Sequence, residues 1–151
     1  MERKIIISFC GHSKIIGKPK LEEKVLDAIK NIANSKPAIF YLGEYGDFDY
    51  IARNSAVKYK AEHPSSELIF VTPYLDKKYI ENKKPLYIEF DEILFPDIEN
   101  CLPKFAIIAR NKWMIKNSDH LIAYVNHNWG GASKSLSYAI SLRKNITNLS
   151  H

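Results

Sequence analysis

What most constrains this chain is the rhythm of its apolar runs. Five short segments, residues 4–10, 38–42, 67–72, 120–125 and 145–149, are near-continuous stretches rich in β-branched and aromatic residues. Strands that alternate apolar with polar residues have one wet face, whereas unbroken runs of this length suit strands covered on both sides, as in a parallel sheet. Between them the spacing turns helical. Leu21, Val25, Ala28, Ile29, Ile32 and Ala33 form one stripe, and Phe48, Ile51, Ala52, Ser55, Ala56 and Tyr59 form a second that must end before Pro64. Phe105, Ile108, Ala109 and Trp113 make a third, with Ala132, Leu136, Ala139, Ile140 and Arg143 tracing a fourth. Strands alternating with helices imply βαβ crossovers, so the expected fold is α/β: a doubly wound, mainly parallel five-stranded sheet with helices on both faces. With 151 residues, one domain over 1–151 is expected.

Residues 76–100 break the rhythm. They carry Pro85 and Pro96 and gather the acids Glu89, Asp91, Glu92, Asp97 and Glu99. This segment reads as a long irregular connection with room for a short strand near residues 93–95; such connections serve either function or mere surface excursion.

Charge and cysteine content narrow the setting. The 22 basic against 17 acidic residues leave a net charge of +5, which favours anionic partners in general. No basic run is interleaved with aromatics, which argues against a groove that tracks single-stranded nucleic acid. Cys10 and Cys101 could form one bridge at most, and a reduced, soluble cytoplasmic protein is the simpler expectation. Gly11-His12 cuts the first apolar run too short for a signal sequence, and charges or prolines interrupt every other run, so no membrane association is expected.

In an open α/β sheet, ligands bind beyond the carboxyl ends of the strands. The loops this rule selects are Gly11-His12-Ser13, the stretch from Gly43 through Glu44, Tyr45 and Gly46 to Asp49, and Asn126-His127-Asn128-Trp129-Gly130-Gly131. Gly130, Gly131, Ala132 and Ser133 open the fourth helix, where unpaired amides and the positive end of the dipole suit phosphate; the alternative is a pair of glycines that merely turns the chain. Arg110 and Asn111 fall off the third apolar stripe, so Arg110 is either a phosphate-binding fork or a surface arginine paired with an acid. Asp49 can cap the second helix, hold ribose hydroxyls or act as a base. His12 and His127 are candidate acids or bases, and Cys10 reads as a small buried hydrophobe. No two of the five histidines have the spacing of a helical metal site, and no dinucleotide fingerprint, P-loop or G-x-S-x-G elbow occurs, so neither a metal nor another cofactor is called for.

Taken together, Ile7-Ser8-Phe9-Cys10-Gly11-His12, the Gly43 to Asp49 loop followed by Ala52, Arg110-Asn111 with Trp113-Met114 and Ser118-Asp119, and Asn126 to Gly131 with Tyr138-Ala139 resemble the YpsA-like branch of the SLOG superfamily. That superfamily groups Rossmann-like domains of the Smf/DprA and LOG types. The resemblance implies a Rossmann-like domain binding a nucleotide-derived ligand such as a nucleoside phosphate or an ADP-ribose derivative. Asn126 and Asp49 would then meet ribose or base. Self-association is left open, because SLOG-type relatives are often oligomers.

LOG-type relatives hydrolyse the N-glycosidic bond of nucleoside 5′-monophosphates and carry the signature P-G-G-x-G-T-x-x-E. Here Glu44 stands at the second glycine, Asp47 at the threonine and Tyr50 at the glutamate. An enzyme of that kind would have to use Asp49 or Glu44 as its carboxylate. A third reading is an interaction module whose 76–100 segment contacts a partner.

Overall fold

The computed structural model describes residues 3–83, 90–98 and 100–150. Chain order is β1 (Ile5–Gly11), α1 (Leu21–Ala33), β2 (Ala38–Leu42), α2 (Asp47–Glu62), β3 (Glu67–Val71), α3 (Lys77–Lys83), β4 (Glu92–Leu94), a 3₁₀ turn (Pro103–Phe105), α4 (Ala106–Lys116), β5 (His120–Tyr124), α5 (Gly130–Ser141) and β6 (Asn145–Asn148).

The six strands form one sheet in the order β4-β3-β2-β1-β5-β6, with every pairing parallel. Strand order therefore reverses between β1 and β5. In register there, Ile7 faces His120 and Gly11 faces Tyr124.

Side chains alternate across each strand, so each feeds two cores. Ile7 and Phe9 of β1, with Phe40, Leu42 and Leu68, pack under α1 and α2 against Val25, Ile29, Phe48 and Tyr59. On the opposite face Cys10, Leu121 and Ala123 meet Ile115 of α4 and Ala139 of α5. That second face also buries polar groups: Ser8 and Ser118 share a hydroxyl hydrogen bond of 2.7 Å.

Two expectations need correction. The sheet has six strands, not five. The sixth, β4, is three residues long, pairs Ile69 with Glu92 and falls where the sequence leaves room for a short strand near residues 93–95, one not counted in the expected sheet. It lies inside 76–100, which also holds the helix α3, so that segment is partly ordered rather than structureless. Pro85, Glu89 and Glu99 lie outside the described residues.

The second correction concerns α4. Its buried residues are Ala106, Arg110, Met114 and Ile115, whereas Phe105 and Ile108, expected inward, are 48% and 37% exposed. The helix is oriented by a charged anchor, Arg110, and not by its apolar stripe. α5 differs in the same way: Ser135 and Ala139 are buried while Ile140 is exposed and Arg143 lies past the helix end.

Candidate functional site

A cleft of about 330 Å³ opens at the strand-order reversal, between the ends of β1 and α2 on one side and α4 and α5 on the other. Of the residues singled out from sequence, Gly11, His12, Ser13, Tyr45 and Asp49 line it, together with Arg110, Asn111, Gly131 and Ala132. Phe9, Cys10 and Ile107 complete the wall without having been anticipated as ligand contacts. Gly43, Glu44, Gly46, Asn126, Gly130 and Ser133 are not in the lining.

Arg110 is the buried centre of this region, at 1% exposure. Its Nη1 donates to the carbonyls of Val71 at 2.7 Å and Gly43 at 2.8 Å, and its Nε donates to Asn111 Oδ1 at 2.8 Å. Burial pulls its pKa down from the usual arginine value, opposed chiefly by the Asp49 carboxylate. A guanidinium keeps its proton under such conditions, so a fixed positive charge lies under the cleft.

Asp49 holds the loop before α2 and is a counter-ion to Arg110. Its Oδ2 accepts the Tyr45 amide at 3.0 Å. A methyl group added to Gly43 would stand 3.0 Å from that oxygen and 3.1 Å from Arg110 Cζ, so carboxylate and guanidinium close on the glycine together.

Glu44 turns away from the cleft. Its backbone is left-handed at φ 54°, and its buried carboxylate lies 3.0 Å from Arg53 Nε on α2. The acid that would repel a phosphate is thus paired inside the protein, and the residue is misplaced for the catalytic role considered for it. At the glutamate position of the LOG signature, Tyr50 is 58% exposed and lies against Arg53, its ring centroid 5.3 Å from the guanidinium carbon. Asp49 is the carboxylate from that loop that reaches the cleft.

α5 begins without a side-chain cap, and the position a Cβ would take at Gly130 or Gly131 meets nothing within 4 Å. The start of the helix is thus uncrowded where Gly131 and Ala132 edge the cleft, and the first-turn amides of a helix have no partner within it. Gly46 has a different task. With φ at 92° and Ser13 Cα 2.7 Å from its would-be Cβ, it lets the α2 loop press against the β1 loop, where the Asp47 amide donates to the Ser13 carbonyl at 2.9 Å.

Beside the cleft three rings stack in series. His12 lies 3.8 Å from His127, and His127 lies 3.7 Å from Trp129, which is 66% exposed. His12 Nε2 accepts the Asn126 amide at 2.9 Å, which joins the β1 and β5 loops, and His127 Nδ1 is buried without a hydrogen-bond partner among the described residues. Trp129 is the member that sequence reading missed; its only signal was its place in a selected loop two residues past a histidine.

Burial, then the neighbouring His127, depresses the His12 pKa below its ordinary 6.5, and burial alone depresses that of His120. Both groups bind fewer protons folded than unfolded, so the stability they contribute is full above about pH 6.5 and is lost as pH falls through the depressed values. Thermal melts from pH 8 to pH 5 should accordingly show the melting temperature falling below pH 6.5. His12→Gln should reduce that fall, and an unchanged pH profile in the variant would remove His12 as a contributor.

No family model matches the chain, and no curated protein matches it by sequence. Solved structures do. DNA processing protein A (DprA) from Streptococcus pneumoniae superposes with a TM-score of 0.65 at 15% identity, over 95% of this chain and 49% of that one. DprA from Helicobacter pylori, described for its single-stranded DNA binding mode, gives 0.64 at 20% identity, over 94% of this chain and 63% of that one. These likenesses show the fold, an α/β Rossmann-like one. The Moco carrier protein of Chlamydomonas reinhardtii shares it, with a TM-score of 0.59 at 17% identity over 98% of this chain and 77% of that one. This chain spans about half the length of the first of these proteins.

The expectation that excluded single-stranded nucleic acid as a partner does not stand. A protein of this fold is described by that very binding mode. The exclusion rested on finding no linear basic run with interleaved aromatics, whereas the fold assembles its exposed ring stack from residues 12, 127 and 129. Among the described residues no group of three or more His, Cys, Asp or Glu could hold a metal, and no helix is long and apolar enough to cross a membrane.

Proposed function

We propose that the cleft binds a nucleotide-derived ligand, such as a nucleoside phosphate or an ADP-ribose derivative, as the resemblance to the YpsA-like branch implies. The observation that carries this reading is the uncapped start of α5. Its Gly131 and Ala132 line a hollow that Asn111, Asp49 and Arg110 also line. Amides at a helix start and a buried guanidinium both favour an anion, and in this reading the phosphate sits on Gly131 and Ala132. Asn111, held by Arg110 Nε, and Asp49, held by the Tyr45 amide, are pre-set to meet sugar hydroxyls. Asn126 and Ser133 stand outside this constellation, and His12 acts as a wall rather than as a base, because its Nε2 lone pair is already engaged.

Incubating the protein with a pool of nucleotides and nucleotide sugars, with mass spectrometry of bound and free fractions, should recover an unchanged ligand. Gly131→Leu should weaken its binding by about tenfold or more while leaving the melting temperature nearly unmoved, since the new side chain projects into open space. Undiminished binding in that variant would place the ligand elsewhere. Release of a free base would instead establish glycosidic hydrolysis and direct attention to Asp49.

A second reading is favoured by the ring stack: single-stranded nucleic acid passing the cleft with a base on Trp129. Base–aromatic stacking contributes roughly 1–3 kcal/mol per base. Quenching of Trp129 emission by a short oligothymidylate, lost in Trp129→Ala and weakened by salt, supports this reading; an oligonucleotide without effect on emission removes it.

A further inference from the structure

A second hollow, of about 350 Å³, lies on the other side of β5 from the cleft. Its floor is apolar and aromatic, built from Leu21, Tyr124 and Leu149, and its rim carries Lys18, Lys20 and Lys24. An adjoining smaller hollow shares Lys18 and Tyr124 and adds Lys14. All four lysines are exposed, and none forms an ion pair among the described residues.

Their position is electrostatically adverse. Lys20 occupies the N-cap of α1, a 13-residue helix with no side-chain cap, and Lys24 sits in its first turn. Cations at a helix N-terminus face the positive end of the dipole and its unpaired amides. Of the two acids in that first turn, Glu22 is engaged by Lys58 of α2, which leaves Glu23 alone in the turn against the lysines. Three like charges around one apolar-floored hollow at a helix start, with a fourth in the hollow beside it, are an arrangement that an incoming anion stabilises.

From this juxtaposition we infer that the hollow is a second anion site, separate from the cleft, which takes a small organic polyphosphate with a flat apolar body. The number of cations asks for a ligand of more than one negative charge. Lysines, as mobile point charges, suit phosphate oxygens. The volume fits a molecule of nucleotide size, with its ring over Tyr124 and Leu149 and its phosphates toward Lys18 and Lys20.

The inference does not depend on what occupies the cleft, and one titration separates the two. The ¹⁵N-labelled full chain is titrated with adenosine diphosphate and, separately, with inorganic pyrophosphate, following the amides of residues 17, 18, 20–24 and 150. Saturable shifts there are expected from both, with the nucleotide binding more tightly and the affinity falling as salt rises. Lys18→Glu/Lys20→Glu, confined to exposed positions, should weaken those shifts about tenfold or more, whereas Gly131→Leu should leave them unchanged. Shifts that persist in the charge-reversed protein, or that vanish in Gly131→Leu, would overturn the site. Equal affinity for the two probes would overturn the assignment of the apolar floor to a ring.

Discussion

Arg110→Met should lose about 3–5 kcal/mol of stability, which for a chain of this size lowers the melting temperature by roughly 10 °C or more. Methionine approximates the length of the aliphatic stem but supplies no donor. Three acceptors buried around the guanidinium, the carbonyls of Gly43 and Val71 and the Asn111 side chain, would lose their partner. Each buried group left unsatisfied costs about 1–3 kcal/mol. Asp49 would also lose the buried cation that balances it. Arg110→Lys restores the charge without the fork and should fall between the two proteins. If Asp49 and Arg110 work as a pair, Asp49→Asn combined with Arg110→Met should cost less than the sum of the single changes, by about 1–3 kcal/mol in a double-mutant cycle of urea melts. Strict additivity would mean that the carboxylate serves only the Tyr45 amide. Because Arg110 connects the β2 loop, the end of β3 and α4, its loss should also abolish ligand binding in the cleft.

The same residue marks the boundary of what sequence could disclose. The runs that became β1, β2, β3 and β5 were legible because burial inside the sheet forces near-continuous apolar character into five or so residues, whereas β6 lies at the edge with no buried residue. α1 and α2 were legible because their apolar stripes do face the sheet. α4 was misread because period counting scores apolar residues, and the residue that orients this helix is charged. Nothing near position 110 in the chain announces that carbonyls from residues 43 and 71 will converge on it.

β4 falls within one residue of the short strand that the sequence leaves room for near residues 93–95, but it was not counted in the sheet. An edge strand of three residues contributes so little buried surface that acids are tolerated there. In the cleft, the glycine loops were placed by a rule about strand ends, which needs topology alone. The inward pairing of Glu44 with Arg53 and the His12–His127–Trp129 stack depend on side-chain directions and on contacts between loops more than a hundred residues apart.

Gly11 carries the second large expectation, and it links the sheet to the site. It ends β1 opposite Tyr124, where the chain leaves the sheet to form the cleft wall. A Cβ at this position would lie 2.3–2.6 Å from three atoms of Phe48, a contact no relaxed structure sustains. The ring cannot easily withdraw. Phe48 is wholly buried, its ring stacks 6.3 Å from Tyr124, and its amide donates to the His12 carbonyl at 3.3 Å. Relief requires moving the first turn of α2 away from β1, which would also pull Asp49 from its place.

Gly11→Ala should therefore lose about 3 kcal/mol, the upper part of the usual range for forcing one carbon into a filled core, and should weaken binding in the cleft as well. Phe48→Ala offers a discriminating partner, because it removes Cγ and Cδ2, two of the three Phe48 atoms that the methyl group would meet. On its own it should cost stability; combined with Gly11→Ala it should cost less than the two changes summed. If the double variant is as unstable as the sum, the strain lies in the β1 backbone and not against the ring. Should stability return in the double variant without binding, α2 must hold Asp49 and the Tyr45 loop through Phe48 itself, and the core residue would then be part of what shapes the cleft.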